Sequence, residues 1–317
     1  MINLPEVIQE MLSYKESLGF SRKTYENYLS DFNKYFSHSG YNKFTAETVL
    51  PWCERRDTET PEGFRRRVTP LRELSKYMYA MGYTDYIVPT SIFPITRRTM
   101  PYIFTDDELR RVFAESDKEP YCKTNPCRHL IIPVIYRLIY FCGLRPNEGR
   151  ELKRSDFCYE DKTLYIRKNK SHRERLIPVS AGVADMCRQY LEKSRAAFPD
   201  TEYMFPSPTG EPYQKRWLAD TFRRLWDASK LAGNSTKVRV YLLRHRYATA
   251  MFMKWLDEKA DLNAMLPYLS SYMGMQTSQT LRIIMENDKL WKVTWWQCLI
   301  TLASPPVTLY ITISRIR

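Results

Sequence analysis

The feature that most constrains the fold is a nearly continuous apolar stretch from His129 to Cys142, which Gly143 ends. Arg137 interrupts it, so the stretch falls short of the roughly 18 uninterrupted apolar residues of a membrane span. An apolar helix closed by a C-terminal glycine is typical of an element that is buried on most sides. We therefore predict a helix at the centre of a largely helical domain.

The overall composition is that of an ordinary globular protein with a basic surplus. Charged residues make up 27% and hydrophobic residues 44% of the 317 residues, which is ample for a sizeable core. Lysine and arginine total 49 against 36 acidic residues, which gives a formal charge of +13 and an isoelectric point of about 9.3. Such a surplus indicates a polyanionic partner; the alternative is a charge that serves only solubility.

The cysteines indicate a reducing compartment. Seven are scattered along the chain without a paired spacing, which is typical of free thiols. Cys122, Cys127 and His129 match half of a zinc site, but no second ligand pair follows, so we predict no metal. The first residues show no secretory signal. We expect a cytoplasmic protein of bacterial type that does not cross a membrane.

Turn signals and periodicity divide the chain into four parts. Residues 1–86 repeat apolar positions at helical spacing and predict a small all-helical domain. Residues 87–101 contain three prolines without clear periodicity and predict a linker. A second domain is predicted over residues 102–281. The last stretch, 282–317, has a different pattern and is predicted to be an atypical tail.

The second domain contains the predicted sheet. Thr105 and Glu108 form a capping box that marks the start of its first helix. Residues 163–167 and 175–178 flank a polar turn, which predicts a β-hairpin. The predicted fold class is therefore mainly α, with a small antiparallel sheet.

Three basic residues occupy positions that suggest chemistry. Arg145 lies just beyond the buried helix, with Glu148 close enough to orient its guanidinium as a fork for phosphate. Lys170 lies at the tip of the hairpin, and Arg244 lies in an otherwise apolar segment. Each has a structural alternative: a bridge at a helix end for Arg145, a solvated turn lysine for Lys170, and a core ion pair for Arg244.

Five segments match family motifs in a fixed order. They are Ser21, Thr24 and Tyr28; Gly143-Leu144-Arg145-x-x-Glu148; Lys170 with Arg173–Pro178; Leu243–Thr249; and Tyr268–Gly274. In this order they resemble the tyrosine recombinases, also called phage-type integrases. The resemblance spans nearly the whole chain. It implies a SAM-like helical core-binding domain over residues 1–86 and a mostly helical catalytic domain over residues 102–281.

The resemblance implies site-specific DNA recombination without a metal or cofactor. In this chemistry a tyrosine hydroxyl attacks a DNA phosphate, which leaves a 3′-phosphotyrosine and a free 5′-hydroxyl. Arg145 and Arg244 would stabilise the charge on the phosphate, and Lys170 would protonate the departing 5′-oxygen. Tyr241 occupies the position usually held by histidine. These four side chains are expected to converge on one basic surface.

The sequence departs from the family at the nucleophile. Gln279–Ile284 has isoleucines where the nucleophilic tyrosine is expected, and Tyr310 is the only tyrosine beyond Gly274. Tyr310 is either a displaced nucleophile or a β-prone residue in an unrelated tail, as a frameshifted gene end would produce. The chain is therefore a recombinase or a non-catalytic DNA-binding relative, such as a decayed enzyme or an accessory subunit.

Outward-facing basic residues are the predicted DNA contacts. They are Arg22, Lys23, Arg65, Arg66, Arg67, Arg97, Arg98, Lys168 and Arg173, and their alternative role is a solvated surface. The implied partners are double-stranded DNA and further subunits, either copies in a tetramer on DNA or related recombinases. A third class, a basic regulator without recombinase ancestry, requires Arg145, Lys170 and Arg244 to lie far apart.

Overall fold

The computed structural model describes residues 3–95, 102–167, 174–231 and 238–275. Over these residues the chain is mainly helical with one small antiparallel sheet, which confirms the predicted fold class. The chain divides into two compact units, Met1–Thr99 and Met100–Arg317. No helix in the described ranges is long and apolar enough to cross a bilayer.

The first unit packs its helices around an aromatic centre. Its α-helices are α1 (Leu4–Ser17), α2 (Lys23–His38), α3 (Ala46–Val49) and α4 (Pro61–Ala80). Helix α4 begins with the Thr60 hydroxyl accepting the amide of Gly63 at 3.1 Å, which satisfies a donor that the helix itself leaves free. The ring of Phe32 contacts Phe44 and Trp52 edge-on, at centroid distances of 5.9 and 5.3 Å.

Part of the predicted linker belongs to this unit. Val88 is completely buried in its core, and its backbone is held by two side chains of α4. Arg72 Nε donates to the Val88 carbonyl at 3.0 Å, and the Val88 amide donates to Ser75 Oγ at 3.0 Å. The proline-rich composition predicts a linker, but these contacts hold Val88 against α4 because they satisfy its backbone as well as burying its side chain.

The second unit is larger and holds the sheet. Its helices are α5 (Asp106–Asp117), α6 (Arg128–Phe141), α7 (Pro146–Arg150), α8 (Ala181–Ser194), α9 (Lys215–Ala228), α10 (Tyr241–Asp257) and α11 (Leu262–Tyr272). Its strands are β1 (Phe157–Cys158), β2 (Thr163–Ile166) and β3 (Arg175–Pro178). They pair antiparallel in the order β1-β2-β3, with Leu164 opposite Ile177.

Helix α6 is the centre of this unit, as the apolar stretch predicts. It packs against α5, α8 and α10; half of its side chains are buried, and the others are partly buried. Gly143, just after α6, adopts a φ of +57°, which reverses the chain. A Cβ atom at Gly143 would lie 2.5 Å from the ring of Tyr247, so the turn is pressed against α10. This close approach brings the residues after α6 next to the first turns of α10.

Helix α11 is the third helix that reaches this part of the unit. It packs on α10 through a separate apolar cluster that includes Phe252, Trp255, Leu266 and Met273. Met273 is completely buried, so the C-terminal end of α11 is anchored inside the unit. The end of α6, the start of α10 and the end of α11 therefore meet at one place.

Candidate active site

Arg145 lies in the turn between α6 and α7. Its backbone amide donates to Glu148 Oε2 at 2.9 Å, and its Nη1 donates to Glu148 Oε1 at 2.7 Å. Its Nη2 donates to the carbonyl of Gly274 at 2.5 Å. The side chain retains 21% exposure, so part of the guanidinium reaches solvent. The predicted orienting role of Glu148 is present in this geometry.

Glu148 also holds a second arginine. Arg175, the first residue of β3, donates from Nη1 and Nη2 to the two carboxylate oxygens at 3.0 and 2.8 Å. Burial alone would raise the pKa of Glu148, but the hydrogen bonds and charge of Arg175, reinforced by Arg145, lower it to about 2. Glu148 is therefore ionised at neutral pH and binds both guanidiniums.

Arg244 is enclosed behind Arg145. It lies in the first turn of α10 with only 1% exposure, and its terminal nitrogens donate to the carbonyls of Gly143 at 2.6 Å and Met273 at 2.5 Å. Burial, together with the positive charge of Arg145, lowers the pKa of Arg244 to about 10, so it stays charged at neutral pH. Within the described ranges, Arg244 forms no ion pair with a carboxylate. The core ion pair considered as its alternative is absent from these ranges.

The three arginines meet at the end of α11. Arg175 Nε donates to the Tyr272 carbonyl at 2.7 Å, while Arg244 and Arg145 bind the next two carbonyls along the chain. We call Arg145, Arg175, Arg244 and Glu148 the arginine cluster. The cluster contains three guanidiniums and one carboxylate, so it retains net positive charge in a partly desolvated position. This charge favours a bound anion.

The other sequence-predicted catalytic residues have different placements. Tyr241, at the start of α10, is 41% exposed, and its ring meets that of His245 edge-on at a centroid distance of 5.0 Å. Burial, with the charge of Arg244, lowers the pKa of His245 to about 4, so this imidazole is neutral at neutral pH. Lys170 and Tyr310 lie outside the described residues. Four side chains were expected to converge on one surface. Of these, the structure brings together Arg145 and Arg244, and Tyr241 lies one helical turn before Arg244.

The predicted DNA contacts fall into three groups. Lys23, Arg65 and Arg66 are exposed, and Arg22 is half-buried beside Glu26, with 3.4 Å between Arg22 Nε and Glu26 Oε1. Another set lies outside the described residues: Arg97, Arg98, Lys168 and Arg173. The third group is Arg67 alone, which the structure corrects.

Arg67 is a buried structural residue. It is 3% exposed, forms a fork with both oxygens of Glu59 at 2.9 and 2.8 Å, and donates to two backbone carbonyls. Its guanidinium also lies 4.7 Å from the ring centroid of Trp52. The prediction of a DNA contact at Arg67 is therefore wrong, because its donors face protein acceptors and not solvent.

The residues that match half of a zinc site in the sequence make ordinary protein contacts. Among the described residues, no group of three or more His, Cys, Asp or Glu side chains is arranged to hold a metal ion. Cys122 contacts the Thr124 hydroxyl at 3.2 Å, and His129 lies against the ring of Tyr121 at a centroid distance of 5.6 Å.

Comparison with known proteins identifies the family. The sequence model of the phage integrase family matches residues 103–266, which is more than half of the chain. The chain therefore belongs to the phage integrase family, which confirms the resemblance found in the motifs. The matched range includes Arg145, Glu148, Arg175 and Arg244.

Individual relatives cover most of the chain. The protein y4rB of Sinorhizobium fredii, whose name describes an integrase/recombinase, is 27% identical over 86% of this chain and 90% of its own length. The fold is similar to that of the site-specific recombinase XerH bound to its difH substrate, with a TM-score of 0.65, 21% identity, and coverage of 88% of this chain and 79% of XerH. It is also similar to a lambda integrase tetramer bound to a Holliday junction, with a TM-score of 0.57, 17% identity, and coverage of 88% and 79%.

Proposed function

We propose that this chain is a site-specific DNA recombinase whose arginine cluster binds the phosphate at which the strand is cut. The observation that carries the proposal is the excess of guanidinium over carboxylate at the meeting point of α6, α10 and α11. Arg145 is the member that reaches solvent, and two further arginines stand behind it. The family, the net charge of +13, and the DNA-bound states of XerH and lambda integrase support the same substrate.

The reaction that we propose is a transesterification. A phenolic oxygen forms a new bond to phosphorus, the bond from phosphorus to the 5′-oxygen breaks, and the 5′-oxygen takes up a proton that Lys170 supplies. The phenol releases its own proton to solvent. Arg145 donates to the non-bridging oxygens, where negative charge accumulates, and the buried charge of Arg244 strengthens the same field. Return attack by a 5′-hydroxyl reseals the strand.

The nucleophile decides between two functions. The sequence places Ile283 and Ile284 where the family has tyrosine, and Tyr310 is the remaining candidate beyond Gly274. A chain without a competent tyrosine is a DNA-binding relative that occupies recombination sites as a decayed enzyme or accessory subunit. In either case we propose double-stranded DNA as the ligand, a tetramer of copies or related subunits as the assembly, and the bacterial cytoplasm as the compartment.

The test is covalent trapping combined with a salt titration. A pool of labelled, nicked DNA duplexes of random sequence is incubated with the wild-type chain, Arg145→Ala, Tyr310→Phe and the control Arg110→Ala, and adducts are detected on a denaturing gel. Binding of the same pool is measured against salt. Arg110 is 73% exposed on α5, where its ion pair is with Asp107 on the same helix. Arg145→Ala should lower the slope of log affinity against log salt by about one, because one phosphate contact is lost.

Each outcome selects one function. An adduct that Tyr310→Phe abolishes identifies a recombinase with a relocated nucleophile. Absence of an adduct, with salt-dependent binding that only Arg145→Ala reduces, identifies the non-catalytic DNA-binding protein. Binding that neither depends on salt nor responds to Arg145→Ala contradicts both functions.

A further inference from the structure

All three guanidinium nitrogens of Arg175 donate hydrogen bonds to acceptors within the protein. Its side chain is 9% exposed, although it begins a strand directly after the hairpin turn. The period of two along β3 places Arg175 on the same face as the fully buried Ile177, and Leu176 between them is 63% exposed. Arg175 therefore points into the unit, where its charge requires a specific set of acceptors.

The acceptors of Arg175 connect it to Arg145. Glu148 Oε1 accepts from Arg145 Nη1 at 2.7 Å and from Arg175 Nη1 at 3.0 Å, so one oxygen is shared by both guanidiniums. The second bond of the fork, from Arg175 to Glu148 Oε2, fixes the plane of the carboxylate. Arg175 therefore sets the orientation of this carboxylate together with the Arg145 amide, which donates to Oε2 at 2.9 Å.

A second path runs through the backbone at the end of α11. Arg175 Nε holds the Tyr272 carbonyl at 2.7 Å, and the next carbonyls, of Met273 and Gly274, accept from Arg244 and Arg145. Three successive carbonyls are thus bound by three guanidiniums. Because each carbonyl is separated from the next by one planar peptide and one φ, ψ pair, fixing the first limits the next two to the positions that these few dihedral angles allow.

We infer that Arg175 is a positioning residue, which holds Arg145 and the end of α11 so that the arginine cluster presents one fixed anion site. The purpose of this role rests on the proposed function. The positioning itself is a property of the protein without a bound anion or DNA. Lysine cannot replace Arg175 in it, because an ammonium keeps the charge but has no planar fork for two carboxylate oxygens and a carbonyl.

The experiment compares two matched substitutions in the full chain. Arg175→Lys removes the fork on Glu148, and Arg137→Lys removes a comparable fork on Asp117, where Arg137 donates at 2.8 and 2.7 Å. The first readout is the NMR rate of guanidinium rotation of Arg145 in the protein without added anion, with its signal assigned by Arg145→Lys. The second is the affinity of each variant for inorganic phosphate.

We expect Arg175→Lys to speed the rotation of Arg145 and to weaken phosphate binding, each by about tenfold, the scale of one charge-assisted hydrogen bond. Arg137→Lys should change neither. In an Arg145→Lys background, Arg175→Lys should cause little further loss of phosphate affinity, because its effect acts through Arg145.

The other outcomes separate this inference from the proposed function. Unchanged rotation of Arg145 in Arg175→Lys overturns the positioning role, and so does an equal effect of Arg137→Lys, which indicates general loosening. Faster rotation in a protein that binds no inorganic phosphate supports the positioning role and counts against the proposed anion site. Phosphate binding that Arg175→Lys leaves intact supports the anion site alone.

Discussion

Burying a guanidinium costs least free energy where its donors and its charge are both satisfied, and Arg67 meets both conditions in the first unit. Its fork on Glu59 and its two backbone acceptors connect α4 to the segment before it. The Glu59 side chain is itself only 12% exposed. Removing the arginine would therefore leave a largely buried carboxylate without its partner.

We predict that Arg67→Met lowers the free energy of unfolding of the first unit by about 3–5 kcal/mol, the usual cost of breaking a buried ion pair. Urea denaturation followed by the fluorescence of Trp52 measures the change. Arg66→Met is the matched control, because Arg66 is the exposed neighbour on the same helix, and it should stay within about 0.5 kcal/mol of wild type. Equal effects of the two substitutions would contradict the structural role of Arg67.

For some residues the sequence predicts which way the side chain points. It does not predict which groups accept their hydrogen bonds. Helical spacing places Arg67 on the same face of α4 as Phe64 and Leu71, a signal of burial that its charge obscured. Arg145 and Arg244 are recognisable because each adjoins an apolar segment. However, the bond from Arg145 to the Gly274 carbonyl joins residues 129 positions apart, and no local pattern encodes a contact at that separation.

At the scale of elements, the turn after α6 determines how the arginine cluster is assembled. Gly143 combines a positive φ with a site that has no room for a side chain, because the ring of Tyr247 lies against it. Gly210 also has a positive φ, of +83°, but nothing lies within 4 Å of a Cβ placed there. Comparing substitutions at the two glycines therefore separates the free-energy cost of a positive φ from the free-energy cost of a steric clash.

We predict that Gly210→Ala destabilises the second unit by about 1–2 kcal/mol through the backbone alone. Gly143→Ala should cost at least about 1 kcal/mol more, because the added methyl must displace the Tyr247 ring. Chemical denaturation of both variants measures the difference. A Gly143→Ala variant no less stable than Gly210→Ala would show that the ring of Tyr247 moves freely.

Elements with a local sequence signal could be predicted. Elements that are very short, or that lack a clear hydrophobic period, could not. The apolar stretch, the capping box at Thr105 and the hairpin all have local signals, and the structure contains each of them. Helix α7 has five residues and β1 has two, which is too few for a period to emerge. Helix α11 contains Pro267 and has apolar residues on several faces, so its sequence shows no clear helical period.

At the scale of the whole molecule, the first unit has its own core. Among the described residues, its buried side chains form a cluster that ends at Val88, and Trp52 is the sole tryptophan in the sequence of residues 1–99. We predict that residues 1–99 alone unfold cooperatively, because the described buried cluster of this unit lies within residues 4–88. Trp52 fluorescence and circular dichroism during urea denaturation measure the transition.

A core substitution tests whether this isolated unit is the same structure. Leu71 is completely buried, so Leu71→Ala should cost about 2–5 kcal/mol. The loss should be equal, within error, in the isolated unit and in the full chain. A broad transition without a baseline, or a loss seen only in the full chain, would show that the first unit depends on the second.

The contacts at the end of α11 also bear on how the sequence can change over time. The three arginines bind main-chain carbonyls of residues 272–274, and those carbonyls are present whatever side chains the residues have. A substitution that spares the path of the backbone at these positions therefore leaves the acceptors unaltered. A descendant chain can thus diverge at this end and still inherit the complete set of arginine contacts.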